Sequence, residues 1–235
     1  MKSFTLIPSV YLKENWATVF KYFNLFLGMW NSLKVAVPST LLCAYFSAMT
    51  AYALAMYKFK GNKVLFMTIL IFMMIPGQLG LIGFYNLCTK LHLVNSYIPL
   101  IIPAIASPGT VFFLRQYVLS VMPPSLIEAA RIDGSGEFST FNKIALPLMK
   151  PAMATQAIFA FITSWNNLYT PSMMLTDTAK KTLPMFIMAL RSEQFRQDYG
   201  VIYLGLFLTV LPIFIVYFAL SKYIIAGVAL GGVKE

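Results

Sequence analysis

Residues able to do chemistry are few and scattered in this sequence. Among 235 residues, 8 are Asp or Glu and 1 is His. No carboxylates or histidines recur at a spacing suited to general acid–base work or metal ligation, so the chain offers no catalytic or metal site. No Gly-Lys-Ser/Thr phosphate loop occurs, so ATP hydrolysis is not encoded here. His92 stands alone in a short turn and reads as a solvated loop residue. Cys43 and Cys88 lie inside apolar runs and read as small buried hydrophobes rather than a disulfide or zinc pair. What remains is uncharged: Gln78, Tyr85 and Asn86 in one apolar run, and Trp165, Asn166, Asn167 and Tyr169 in another. Amides and rings suit the hydroxyls and faces of a neutral, sugar-like solute. The same groups suit hydrogen bonds between helices or anchoring at a membrane interface, and Trp165 and Tyr169 fall where an aromatic belt is expected.

The elements that must position these groups follow from where the charges stop. The chain is 59% hydrophobic and 11% charged with a mean hydropathy of +0.73, whereas a soluble domain carries roughly 25% charged residues. Residues 35–57, 64–89, 91–114, 151–176 and 199–221 hold no Asp, Glu, Lys or Arg. Each gap exceeds the roughly 20 residues a helix needs to cross the hydrocarbon layer, which predicts an all-α membrane protein with five spans, at about 31–57, 64–88, 97–119, 151–173 and 199–221. The run Val64 to Met74 has no period of two and so does not fit a barrel strand. Pro76, Pro103 and Pro212 are expected to kink or break their helices.

Residues 1–27 lack a signal-peptide pattern and read as an outer amphipathic connector. Residues 28–221 form the membrane domain and 222–235 a C-terminal tail, in which the Gly227-to-Gly231 spacing matches a packing motif but a flexible tail is expected. Between Asp177 and Asp198, the stretch Leu183 to Leu190 is too short to span and reads as a partly embedded amphipathic helix. Placing the loops 58–63 and 116–150 and the C-terminus inside divides the basic residues equally between the two sides, so charge alone does not orient the chain. The net charge of +10 fits contact with anionic membrane lipid, and no basic–aromatic face points to nucleic acid. No charge lies deep in a span, which disfavours an ion-coupled carrier; a membrane-embedded enzyme is disfavoured by the missing catalytic cluster.

One loop, residues 123–147, carries more information than the rest. Pro124 and Ser125 open a helix, and Glu128, three residues after Ser125, predicts a capping box. Asp133-Gly134 closes that helix, with glycine in the left-handed conformation. A second short helix, from about Glu137 to Ala145, is expected to present Phe138, Phe141 and Ile144 before Pro147 and Pro151 stop it. Apolar knobs of this kind bury themselves only by docking on something, unless the loop lies flat on the membrane.

The spacing of Glu128-Ala129-Ala130, Gly134, Ile144 and Leu146-Pro147 resembles the loop that defines the membrane subunits of binding-protein-dependent ABC importers, and Ile132-Asp133-Gly134 resembles their carbohydrate-uptake branch. Asn31-Ser32-Leu33, Pro76, the Leu93-Val94-Asn95 turn, Pro103, Trp165-Asn166 with Pro171, and the tail from Gly227 to Lys234 are similar to features of maltose-type permeases. The resemblance implies a type I ABC importer transmembrane fold in the cytoplasmic membrane of a bacterium or archaeon. Such permeases usually have six spans, so the first is expected to be missing here or the chain to be a short variant. It further implies a coupling helix in which Glu128 pairs with a basic residue of a cytoplasmic ATPase subunit, Ala129 and Ala130 allow close approach, and Asp133-Gly134 turns the chain. The implied partners are a companion permease, two ATPase subunits carrying the ATP and Mg, and an extracytoplasmic sugar-binding protein near the loop 177–198. The cargo would be a sugar or oligosaccharide, or failing that another neutral or peptide-like solute. No cofactor is expected on this chain.

Overall fold

The computed structural model describes residues 11–22, 24–191 and 198–231, and every regular element among them is helical. The order is α1 (Leu12–Tyr22), α2 (Leu25–Met56), α3 (Asn62–Met74), a 3-10 turn (Gly77–Gly80), α4 (Leu81–Lys90), α5 (Ile98–Ile101), a second 3-10 turn (Ile102–Ile105), α6 (Pro108–Val121), α7 (Pro124–Ile132), α8 (Glu137–Thr140), a π turn (Phe141–Ala145), α9 (Leu146–Trp165), α10 (Tyr169–Met174), a third 3-10 turn (Thr178–Lys180), α11 (Leu183–Leu190) and α12 (Tyr199–Gly231). The apolar patch Phe4 to Val10, together with Glu193, Arg196 and the residues after Gly231, lies outside the described residues.

The centre of the bundle is α2, whose 32 residues make it longer than a bilayer's hydrocarbon is thick. Its buried stripe is made of small side chains: Ala36, Ser39, Thr40, Cys43, Ala44, Ser47, Ala48 and Ala51. Lipid tails are as apolar as leucine, so membrane helices associate by close backbone approach, and small residues three and four apart permit it. Both α6 and α9 pack against this stripe. One core cluster fills the end where α2 finishes, joining Tyr52, Leu54, Leu114, Val118, Ile127, Phe141 and Met149. A second fills the opposite end, joining Val19, Leu25, Phe161, Trp165, Leu183, Phe186 and Leu190. At Gly28 a Cβ would stand 2.6 Å from a Phe186 ring carbon, so only glycine lets α11 close on α2 there.

Four described helices or helix runs are long and apolar enough to cross a membrane: Leu25–Met56, Ile98–Val121, Glu137–Trp165 and Tyr199–Tyr223. The span expected at 64–88 is a pair, Asn62–Met74 and Gly77–Lys90, bent by 89° at the break expected of Pro76. Pro76 supplies the cause, because it takes an extended backbone (φ −60°, ψ 121°) and cannot donate to the preceding turn. A correction concerns 151–173. Pro147 and Pro151 stop nothing: the π turn Phe141–Ala145 leads directly into α9, which runs on through both prolines to Trp165. The helix therefore begins at Glu137 and ends at Trp165, and Tyr169 to Met174 form a separate short helix.

The stretch 183–190 forms the expected helix but not as an embedded surface element. Leu183, Phe186, Ile187 and Leu190 are buried, and α11 packs against α2 and α12. Two side chains of α2 hold this segment. Asn31 donates to the carbonyls of Ala179 (2.8 Å) and Lys181 (3.0 Å), and Ser32 accepts from the Leu183 N–H (2.9 Å). The turn at 93–95 closes on the same end: the Asn95 amide oxygen accepts from the Asp177 N–H (3.1 Å), and the Asn95 carbonyl accepts from Lys180 (2.8 Å). Past Tyr223 the last helix continues to Gly231, so most of the expected tail is helical. Cys43 and Cys88 are both buried, and His92 is exposed.

Candidate functional site

Two features of the bundle invite a functional reading: the hairpin at one end and a polar cleft deeper in. The hairpin starts at Pro123, whose extended backbone leads into α7 with Pro124 at the first helical position. Ser125 therefore lies inside the helix, and no side chain caps it, so the expected capping box with Glu128 does not form. Ile127 and Ala130 face the bundle and are buried, while Glu128, Ala129 and Ile132 face outward, Ile132 being 87% exposed. Only Ala129 of the two alanines is open to a partner.

The turn after α7 is as the sequence suggests. Gly134 has φ +78°; its N–H donates to the Arg131 carbonyl (3.0 Å), and the Ser135 N–H donates to the Ala130 carbonyl (2.9 Å). These two bonds make a Schellman motif, which ends a helix and reverses the chain. Asp133 caps the helix and is exposed; Ile144 and Leu146 are half-buried, and Pro147 is exposed. Phe138 is 68% exposed, but Phe141 is buried, correcting its expected role as a knob. The helix carrying it is continuous with α9, and its ring turns toward the bundle, edge-on to Tyr45 and tilted against Tyr52, with ring centroids 5.8 and 5.5 Å away.

Sequence reasoning missed how the hairpin is fastened. Arg131 on one arm pairs with Glu137 on the other (Nε to Oε1, 2.8 Å), and the Tyr57 hydroxyl, one residue past the end of α2, donates to the second oxygen of Glu137. The Arg131 guanidinium also lies 5.2 Å from the centre of the Tyr57 ring. Burial, followed by the bond to Glu137, pushes the Tyr57 hydroxyl well above its ordinary pKa, so it remains a donor. A second tie joins Tyr45 of α2 to Asn142 (3.1 Å), which itself donates to the Phe138 carbonyl (2.8 Å). The exposed strip Glu128, Ala129, Ile132 and Phe138 is thus carried on a hairpin clamped to the central helix.

The cleft lies between α2, the α5–α6 segment and α9, with a volume of about 330 Å³. Ser39, Cys43, Ser107, Thr110, Thr163, Ser164 and Asn167 contribute its polar lining. Ser107 donates to Thr110 (2.9 Å), and Ser39 donates to the Leu100 carbonyl (3.3 Å). Of the seven residues expected along a solute path, only Asn167 lines this cleft. Trp165 is buried and donates its indole N–H to the Thr209 carbonyl (3.0 Å), which gives it a structural bond; Asn166 is exposed beside it at a smaller cleft of about 220 Å³. Gln78 is exposed at the bend, and Tyr85 packs with Met174 and Leu175 in a small outer cluster. Asn86 is exposed, and Tyr169 is 73% exposed. The structure does not bring the seven together. The hydroxyl residues that do converge come from three separated stretches, and only the Ser107-Pro108-Gly109-Thr110 break hints at them in the sequence.

A clamped hairpin and a hydroxyl-lined cleft on one long helix of a multi-pass membrane bundle suit a membrane transport subunit. Comparison with known proteins gives the family. Residues 41–229 match, and the chain belongs to, the binding-protein-dependent transport system inner membrane components. The chain is 39% identical over 228 residues to the arabinooligosaccharides transport system permease protein AraQ of Halalkalibacterium halodurans, covering 97% of this chain and 81% of that one. It is 30% identical to the lactose transport system permease protein LacG of Rhizobium radiobacter, covering 95% and 81% of the two chains. Among solved structures, a bacterial ABC transporter involved in the import of the acidic polysaccharide alginate superposes with a TM-score of 0.81 at 23% identity, covering 95% of this chain and 83% of that one, and so shares its fold.

Proposed function

We propose that the chain is one permease subunit of an ATP-driven importer that carries a sugar or oligosaccharide across the cytoplasmic membrane by alternating access. The observation that carries this reading is the hairpin, whose outward strip of Glu128, Ala129, Ile132 and Phe138 is exposed while its other face is fastened to α2. In this reading the strip docks in a cytoplasmic ATPase subunit, with Glu128 facing a basic group and Gly134 keeping the turn tight. ATP and Mg act on that partner. When two ATPase subunits close, the clamp through Tyr57, Arg131 and Glu137 moves α2 with the hairpin, and the spans rock about the cleft.

Cargo chemistry is supported by the hydroxyl and amide lining around Asn167 and by relatives whose names specify arabinooligosaccharides and lactose. A companion permease closes the other side of the pathway, and an extracytoplasmic binding protein delivers the solute to the end where Asn31, Asn95 and Lys180 gather the loops. The test is reconstitution of the chain with the subunits encoded beside its gene, in vesicles, with the binding protein charged from a panel of saccharides, amino acids and peptides. ATP-dependent saccharide accumulation is the expected outcome. Uptake without any ATPase would overturn the mechanism, and uptake confined to non-saccharides would overturn the cargo.

A further inference from the structure

Where α2 ends and α3 begins, a cleft of about 660 Å³ opens at the hairpin end of the molecule. Lys58 and Lys60 line it from the connecting turn, Lys63 from the first turn of α3 and Arg115 from α6, and no carboxylate does. Glu137 bonds Tyr57 at the cleft's edge, but its charge is already matched by Arg131 at 2.8 Å. The turn is held in shape from beneath: the Asn62 side chain donates to the Leu54 and Tyr57 carbonyls (3.2 and 2.8 Å), and the Arg115 Nε donates to Leu54 (3.4 Å). Arg115 also lies over the Phe66 ring at 4.0 Å, which fixes the direction of its side chain. Four cations, from the turn, α3 and α6, therefore face one hollow whose backbone is pinned.

Directly beyond this hollow stands α3, a helix of 13 residues with no buried residue. Val64, Leu65, Met67, Ile71 and Phe72 are all exposed on it. At about 1.5 Å per residue α3 is some 20 Å long, which exceeds the ~15 Å of hydrocarbon in one leaflet. A cationic hollow continuous with an apolar wall the length of an acyl chain matches one molecule with both halves. We propose that the cleft is a binding site for an anionic phospholipid, with the headgroup phosphate among Lys58, Lys60, Lys63 and Arg115 and the acyl chains along α3. An acidic protein surface would satisfy the charges but leave the wall bare, and free phosphate would do the same. Such a lipid would also brace α3, which lies between this cleft and the bend at Pro76. The inference requires only that the chain lies in a membrane and is independent of its cargo.

The experiment uses the purified protein, with any subunits that accompany it, in phosphatidylcholine vesicles containing photoactivatable phosphatidylglycerol or photoactivatable phosphatidylcholine. Adducts are mapped by peptide mass spectrometry. Phosphatidylglycerol adducts are expected to concentrate on residues 57–67 and 112–118, and phosphatidylcholine adducts to be spread evenly. Changing Lys58, Lys60, Lys63 and Arg115 together to Gln should lower the local adducts by more than about tenfold, because each cation near the surface contributes ~1 kcal/mol to anionic-lipid attraction. Changing the three lysines to Arg should preserve them, as should Gln at the exposed Lys34, Lys90 and Lys143. If the fourfold variant fails to fold, the single variants Lys60→Gln and Lys63→Gln carry the test, each lowering adducts by about fivefold. Equal labelling by both lipids would overturn the proposal in favour of general lipid contact. Displacement by excess inorganic phosphate would overturn it in favour of a soluble anion, and loss of adducts when a cytoplasmic subunit assembles would overturn it in favour of a protein occupant.

Discussion

At Gly134 the proposed docking role of the hairpin can be separated from its folding role. Its φ of +78° lies in the left-handed region, where an L-residue costs roughly 1–2 kcal/mol. A Cβ built there meets nothing within 4 Å, so no steric term adds to that backbone cost. Gly134→Ala and Gly134→Trp should therefore destabilise the isolated chain alike, by about 2–8 °C in Tm for a chain of this size. Gly134→Asn should cost less, because asparagine tolerates the left-handed region. Only the tryptophan adds bulk beside the exposed Ile132 and Phe138, where the proposed ATPase contact lies. The assay is retention of the ATPase subunit on the tagged permease, together with ATP-dependent uptake in vesicles. Asparagine and alanine variants should keep most of both, and the tryptophan variant should lose both by more than tenfold while its Tm matches that of the alanine variant. If Gly134→Trp binds the ATPase and transports as the native chain does, the hairpin is not the coupling element. If alanine fails as completely as tryptophan, the turn matters only for folding.

Further expectations rest on other contacts. Trp165→Phe removes a buried N–H donor to Thr209 and should lower stability by about 1–3 kcal/mol, with KM for uptake unchanged; a raised KM at native Tm would instead make Trp165 a solute contact. Gly28→Ala should cost about 1–3 kcal/mol by overpacking against Phe186, and Phe186→Leu in the same chain should recover part of it, read as Tm. Tyr57→Phe deletes the hydroxyl that joins α2 to Glu137 and should lower solute moved per ATP hydrolysed while the ATPase remains bound; an unchanged ratio would reduce Tyr57 to packing.

Much of the architecture is legible because membrane spans are written in composition. A run free of charge from residue 199 to 221 has few other interpretations, and the helix there includes it. What composition does not give is the local answer at each proline. Pro76 breaks its helix by 89°, whereas Pro38, Pro151 and Pro212 lie inside helices that continue. The same residue type yields opposite outcomes because neighbouring helices and a π turn can satisfy or absorb the lost hydrogen bond, and that depends on tertiary packing. The hairpin's turn could be read because Asp133-Gly134 is local chemistry. Its attachment could not, since Tyr57 and Glu137 are separated by 80 residues and neither belongs to a recognisable motif. The cleft is hidden for a related reason. Serine and threonine occur throughout membrane helices, and only the packing of α2, α6 and α9 brings Ser39, Thr110 and Thr163 to one surface.

One physical relation links these parts. Ser39 and Cys43, which line the cleft, and Tyr45, Tyr52 and Tyr57, which engage the hairpin, all belong to α2 or follow it directly. The buried face between them is alanine, serine and threonine at helical spacing, and such a stripe permits close contact yet few interlocking side chains. The Tyr57–Glu137 and Tyr45–Asn142 bonds fasten α2 at the hairpin to the helix run that begins at Glu137 and continues into α9, while further along α2 its buried stripe is made of small side chains. In the proposed mechanism α2 and α9 therefore move with the hairpin as one body.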